Sequence, residues 1–289
     1  MDAQFNFSTA KTVKHIVVYF LLFLAGDLFS GLAFDLLFLF VELPIRGLYY
    51  FPRALGCLVL TYILFWLYTT KVLHLKMRDF GISFSIKKWG IILAIFLPAF
   101  VVIGFLFIGE VTVNVNGLAL DKIVIIIAYS LVMALRAGIL EEILFRGYIM
   151  KLLESRWNQY VAILLPSVLF SLSHIPSMET ISVASVVLLI ISGALVGVMF
   201  SLVAYKGKSV SNSIVIHSVW NFVMVTDILN ITTEHDAYGG SIFSIIIPSD
   251  QILLTGGGFG VEASIVAIIG YLLVCCAVAF FEKNTGENA

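Results

Sequence analysis

The sequence predicts an all-α fold, a polytopic transmembrane helical bundle of about eight spans with both termini cytoplasmic. Three observations carry that expectation. Of 289 residues, 61% are hydrophobic and only 12% charged, about half the charged share of an ordinary soluble domain. The apolar residues come in repeated runs of about 20, the length at which a helix crosses a ~30 Å hydrocarbon layer. The lysines and arginines collect in alternate connecting segments, the asymmetry that orients membrane proteins. A water-soluble fold of this composition would lack polar residues to cover its faces.

The runs fall at 16–41, 54–70, 89–108, 123–146, 160–175, 181–204, 211–229 and 261–281. The first lacks a small-residue cleavage site and is read as a retained span rather than a signal peptide. Asp27 and Asp35 sit awkwardly in it: either the run is shorter, or those carboxylates face the bundle. The connection 42–53 carries Arg46 and Arg53 beside Tyr49, Tyr50 and Phe51, which read as an interfacial aromatic belt. The cytoplasmic set holds Lys11 and Lys14, the basic loop 71–88, Lys151 and Arg156, Lys206 and Lys208, and Lys283. The opposite set, 109–121 and 230–260, holds Glu110, Asp121, Glu234, Asp236 and Asp250; the two arginines of 42–53 fit this pattern less well. In the sixth run Gly193-x-x-x-Gly197 permits a close helix approach. The glycines 256–258 and 260 mark an irregular or re-entrant segment before the last run.

Net charge is −1, so a nucleic-acid partner is not expected; the expected surroundings are a lipid bilayer. Cys57, Cys275 and Cys276 lie in apolar runs and form neither a disulfide framework nor a metal-binding motif. Neither a fixed-period repeat nor a low-complexity linker divides the chain, so 1–289 reads as a single integral membrane domain.

Ionisable groups inside spans cost at least ~2.5–3.5 kcal/mol and are functional candidates for that reason. Three clusters qualify. In the fourth run stands Glu141-Glu142-Ile-Leu-Phe-Arg146-Gly147. Glu142 and Arg146 share one helical face, so two charges can be buried together. By themselves they read equally well as an ion pair at a helix end. Glu141, about 100° further round, is not explained by that pair and is free to point into a cavity. The fifth run holds Phe170-Ser-Leu-Ser-His174, where a lone histidine is more often a packing residue than a functional one. The seventh holds His217-Ser-Val-Trp-Asn221, imidazole and amide one turn apart on one face, a pattern that also serves helix–helix hydrogen bonding. Depth favours function. At 1.5 Å per residue, His217 and Asn221 lie about 9 and 15 Å in from Ser211, Glu141 about 15 Å from Lys151 and His174 about 21 Å from Tyr160. Four polar groups from three helices can therefore meet in one slab of the cytoplasmic half.

The ordered triple E-E-x-x-x-R, F-x-x-x-H and H-x-x-x-N on separate spans resembles the CPBP family, the CAAX-protease and bacteriocin-processing group also called Abi. The motifs cover Glu141 to Asn221 and do not depart from the family pattern, and they set an expected catalytic core at 123–229. Arg136 is an extra charge without a family role, readable as a counter-ion to the acidic pair. The resemblance implies an intramembrane endopeptidase that hydrolyses a peptide bond of a membrane-associated protein or peptide. Glu141 and His174 would hold and activate the attacking water, His217 and Asn221 would donate to the oxyanion, and Glu142 and Arg146 would orient the group. The cofactor question stays open. Glu141, His174 and His217 could supply a three-ligand zinc site, yet H-E-x-x-H is absent and a metal-free glutamate mechanism is also proposed in the family. A catalytically idle scaffold or bacteriocin-immunity protein of the same fold is the main alternative. A transporter is a further one, which would predict inverted repeats that the sequence lacks. The absence of a eukaryotic retention signal and the short termini point to a bacterial plasma membrane.

Overall fold

The structure, a computed structural model, describes residues 5, 7–41, 47–108, 110–112, 118–233 and 240–286. Arg46, Glu234 and Asp236 of the loop reading lie outside the described residues, as do the side chains of Glu110 and Lys283.

The chain is a helical bundle. Helix α1 (Thr9–Phe38) begins at Ser8, whose hydroxyl accepts the amide of Lys11 at its N-terminus. Helix α2 (Gly47–Leu67) contains Pro52 as its sixth residue, which leaves the Leu48 carbonyl without its helical donor, and runs on as a wide π-turn to Val72. The aromatic residues 49–51 are thus part of α2 rather than of a connection. After α3 (Lys88–Ile108) comes α4 (Leu120–Glu142), which passes through a π-helical stretch Ile143–Ile149 into α5 (Met150–Arg156). That single rod, Leu120–Arg156, is 37 residues long and overruns the predicted end at 146. The overrun follows from Ile149, Met150, Leu152 and Leu153, all buried, which keep an apolar face turned inward beyond the charged motif. Helices α6 (Gln159–Ser173), α7 (Val183–Gly207), α8 (Ser211–Met224), α9 (Ile252–Thr255) and α10 (Ile265–Gly286) complete the set.

Among the described residues six helices are long and apolar enough to cross a membrane, and Ile265–Phe280 is a shorter apolar stretch. Helix α8, with 14 residues, spans about 21 Å and ends before 229. The predicted run stops early because residues 229–232 turn into a strand. That strand belongs to a small sheet the sequence reading did not foresee: β1 (Glu110–Thr112), β2 (Leu229–Thr232) and β3 (Phe243–Ile246), in the order β1-β3-β2. β1 pairs antiparallel with β3, and β2 pairs parallel with it. The glycine-rich segment is irregular, as expected, with positive φ at Gly256, Gly257 and Gly260.

The two carboxylates of α1 are accounted for. Asp27 faces the bundle and pairs with Arg136 of α4 at 3.0 Å, and Asp35 accepts the hydroxyl of Tyr49. Arg136 therefore has its own partner in α1 rather than serving only the acidic pair. The buried side chains form two large clusters, one centred on α3, α7, α8 and α10, the other on α1, α4–α5 and α6. The outward faces carry exposed leucine, isoleucine and phenylalanine, for instance Leu21, Leu24, Leu28 and Leu32 along α1, the surface a bilayer covers. The chain is a multi-pass integral membrane protein.

Candidate active site

Two close helix contacts assemble the three motifs. At Gly138 of α4 a side-chain carbon would stand 2.2 Å from Ser218 Oγ and 2.9 Å from its amide. Only glycine lets α4 meet α8 there, and one turn later that contact sets Glu142 beside His217. The second is the predicted glycine pair of α7: a carbon on Gly193 would meet Ser171, and one on Gly197 would come within 2.7 Å of the Ser167 backbone. This draws α6, with His174 at its end, against α7.

Glu142 and Arg146 are both fully buried and bonded at 2.9 Å. The second guanidinium nitrogen donates to the carbonyl of Gly197 at 3.1 Å, and the group lies 4.6 Å from the Phe170 ring centre and 5.1 Å from that of Phe200, within range of cation–π attraction. The pair is thus a deep tie between α4 and α7 and not an interfacial helix-end pair. The same Glu142 oxygen takes a second bond, from Nδ1–H of His217 at 2.9 Å, while the His217 ring stacks on Phe200 at 4.8 Å. A carboxylate only accepts, so Nδ1 carries the proton and Nε2 is turned the other way.

His174 is the residue that ends α6 rather than a mid-span residue. Its Nδ1 donates at 2.8 Å to the carbonyl of Phe170, one of the last four carbonyls that a helix leaves without a partner. Here too the local bond fixes the ring and directs Nε2 outward. Both outward nitrogens aim at one atom: Oε2 of Glu141 lies 4.0 Å from Nε2 of His174 and 3.9 Å from Nε2 of His217. That oxygen is buried and accepts no hydrogen bond among the described residues. Asn221, one turn beyond His217, lines the same space.

These groups line a cavity of about 540 Å³ whose other walls include Met133, Leu189, Val196 and Phe259. Every lining residue of α4 precedes or is Glu141, and every one of α8 is or follows His217. The catalytic candidates therefore form the floor of a cavity that extends toward the end of the bundle bearing the sheet. The opposite, basic end holds Lys151, Arg156, Lys206 and Lys208, and the buried Arg146 lies between it and the cavity floor.

The donor set can be tested against zinc. Ligands held at ~2.0–2.2 Å in a tetrahedron stand about 3.4 Å apart. The two observed separations are wider, and among the described residues no group of three or more His, Cys, Asp or Glu side chains is placed to hold a metal. A water bonded at ~2.8 Å to two atoms this far apart subtends about 90°, an ordinary arrangement. The three groups fit a water, and they do not fit zinc at these distances.

The motif reading missed two cavity groups, Glu262 and Asp227, and had noted the third, Arg136. Glu262, just before α10, accepts the indole N–H of Trp220 at 2.7 Å. Asp227 accepts the hydroxyl of Tyr129, and Arg136 reaches the wall with Asp27 behind it. Glu262 and Asp227 each fell inside a predicted apolar run, so the rule that singled out Glu141 applied to them as well.

Residues 123–223, 101 of the 289, match the family model described as type II CAAX prenyl endopeptidase Rce1-like. No curated protein matches the chain.

Proposed function

From a segment that carries the Rce1-like match and all seven motif residues, a match to a peptidase family that agrees with the CPBP resemblance, we propose that the protein is an intramembrane endopeptidase using a glutamate-activated water. The observation that carries the reading is the convergence of two imidazole nitrogens within 4.0 Å of one buried carboxylate oxygen at the floor of an apolar cavity.

Glu141 takes one proton from the water while Nε2 of His174 accepts the other hydrogen and aims the oxygen at the carbonyl carbon. His217, with a carboxylate on either side of its ring, must present an Nε2–H for this role. With the amide of Asn221 it donates to the oxygen on which negative charge develops. Glu142 and Arg146 hold His217 in the required rotation. On collapse the C–N bond breaks, the proton held by Glu141 passes to the departing nitrogen, and the acyl fragment leaves as a carboxylic acid. The apolar wall suits a substrate whose cleavage point is delivered with a lipid-like or membrane-embedded segment.

The test uses purified protein in liposomes with two probes, a farnesylated CAAX-type peptide and an unprenylated membrane-anchored peptide, and products are mapped by mass spectrometry. The wild type cleaves at least one probe, and Glu141→Gln, which keeps size and hydrogen bonding, cleaves neither while folding normally. Undiminished cleavage by Glu141→Gln ends the assignment. A cellular phenotype that survives this substitution supports the idle scaffold instead.

A further inference from the structure

A second cavity, of about 410 Å³, adjoins the first. The two share Ser177, Val225, Thr226, Asp227, Phe259 and Glu262, so Glu262 and its neighbours stand between them. Five consecutive residues, Leu229 to Thr233, line the second cavity. The face of a sheet would present only every other residue. Consecutive residues mean that the strand shows this cavity its edge.

Among the described residues no strand pairs with Leu229 and Ile231 on that side. β2 ends the sheet order, with β3 on one side and no strand on the other. The carbonyls of Ile228 and Thr232 turn toward the β3 side, accepting the amides of Phe243 at 3.0 Å and Ile247 at 2.8 Å. Along a strand successive backbone groups alternate in direction, so Leu229 and Ile231 turn their N–H and C=O groups to the other side. The facing wall is formed by Gly257, Gly258, Phe259 and Gly260. At Gly260 a side-chain carbon would meet nothing within 4 Å. The wall there is bare backbone with room in front of it.

We propose that a stretch of the substrate flanking its cleavage point binds in this second cavity as an added β-strand along the outer edge of β2. The inference rests on the peptidase reading above and deepens it. The occupant is an extended polypeptide, for two reasons. The cavity shares six lining residues with the one that holds Glu141. A peptide drawn away from water also needs partners for every backbone N–H and C=O, which the apolar first cavity scarcely offers and a strand edge offers at regular spacing. Five residues at ~3.3 Å each give a track of roughly 16 Å, enough for about five substrate residues on one side of the cleaved bond.

The experiment uses the full protein in liposomes and whichever probe peptide it cleaves. Each backbone amide flanking the mapped cleavage point is N-methylated in turn, which removes one donor at a time. Strand addition predicts a period of two: KM rises about three- to tenfold at alternate positions on one flank and is unchanged between them. Ile231→Pro then removes a donor from the outer edge, where proline is tolerated. In that variant KM rises by a similar amount, about three- to tenfold, because the substrate carbonyl opposite position 231 loses its donor. A uniform or absent effect along both flanks overturns the proposal, whether or not the proline variant folds, since the scan is done on the unaltered protein. Cleavage without the two-residue period refutes strand addition alone. Failure of the wild type to cleave any probe refutes the peptidase reading, and strand addition falls with it.

Discussion

Removing the Glu142 carboxylate strands a cation in the driest part of the molecule. The Arg146 side chain is fully buried, with Glu142 as its charged partner at 2.9 Å and Phe170 and Phe200 over its faces. Breaking one half of such a pair costs about 3–5 kcal/mol, and a chain of this size loses about 2–4 °C of Tm per kcal/mol. Glu142→Ala is therefore expected to melt roughly 6–20 °C below the wild type. Replacing both members by apolar side chains of similar volume is commonly neutral or stabilising, so the double variant Glu142→Leu/Arg146→Met recovers most of that loss. Activity does not return with it, because Nδ1 of His217 has lost its acceptor. Thermal unfolding of the detergent-purified proteins, followed by intrinsic fluorescence, and peptide cleavage in liposomes read the two effects separately. A double variant as unstable as the single one shows that the cost is not electrostatic. A double variant with wild-type turnover shows that Glu142 does not orient His217.

Three further outcomes follow from the geometry. Gly197→Val forces side-chain carbon against the Ser167 backbone; it lowers stability by about 1–3 kcal/mol and, by moving α6, reduces cleavage at temperatures where the protein is still folded. Asn212→Ala removes the acceptor at 2.8 Å for the amide of Lys87 at the start of α3 and costs about 1 kcal/mol, seen as a small drop in Tm with cleavage retained. Metal analysis of purified active protein finds less than stoichiometric zinc, and a chelator leaves the cleavage rate unchanged; loss of activity that returns on adding zinc contradicts the water-only site.

The helical scaffold was legible because lipid enforces its own pattern: residues that cannot pay for hydration collect in runs of membrane length. The motif residues were legible for the complementary reason, since Glu141, Glu142 and Arg146 have no business in such a run unless they face inward. Helical spacing alone gave the Glu142–Arg146 pair and the separate direction of Glu141. The sheet was not legible. The seventh run was read to 229 and 230–260 as a connection, and what makes Leu229–Thr232 a strand is pairing with Phe243–Ile246. The bond from Glu142 to His217 was hidden in the same way. It depends on how closely α4 and α8 approach at Gly138, a matter of tertiary packing. Asp27 and Arg136 were each noticed as misfits, and only the folded chain, which brings positions 109 residues apart to 3.0 Å, joins them.

The direction in which the candidate cavity extends has a consequence for sidedness. It extends toward the sheet, away from Lys151 and Arg156. If the basic end faces the cytosol, as the distribution of lysine and arginine argues, water reaches Glu141 from the exterior compartment. A cytosolic chain could then gain the floor only by slipping sideways between helices from the bilayer. A cysteine placed at Thr226 in a variant lacking the native thiols would report the answer: labelling of intact cells by a charged, impermeant thiol reagent marks an external mouth, and labelling only of inverted vesicles marks a cytosolic one.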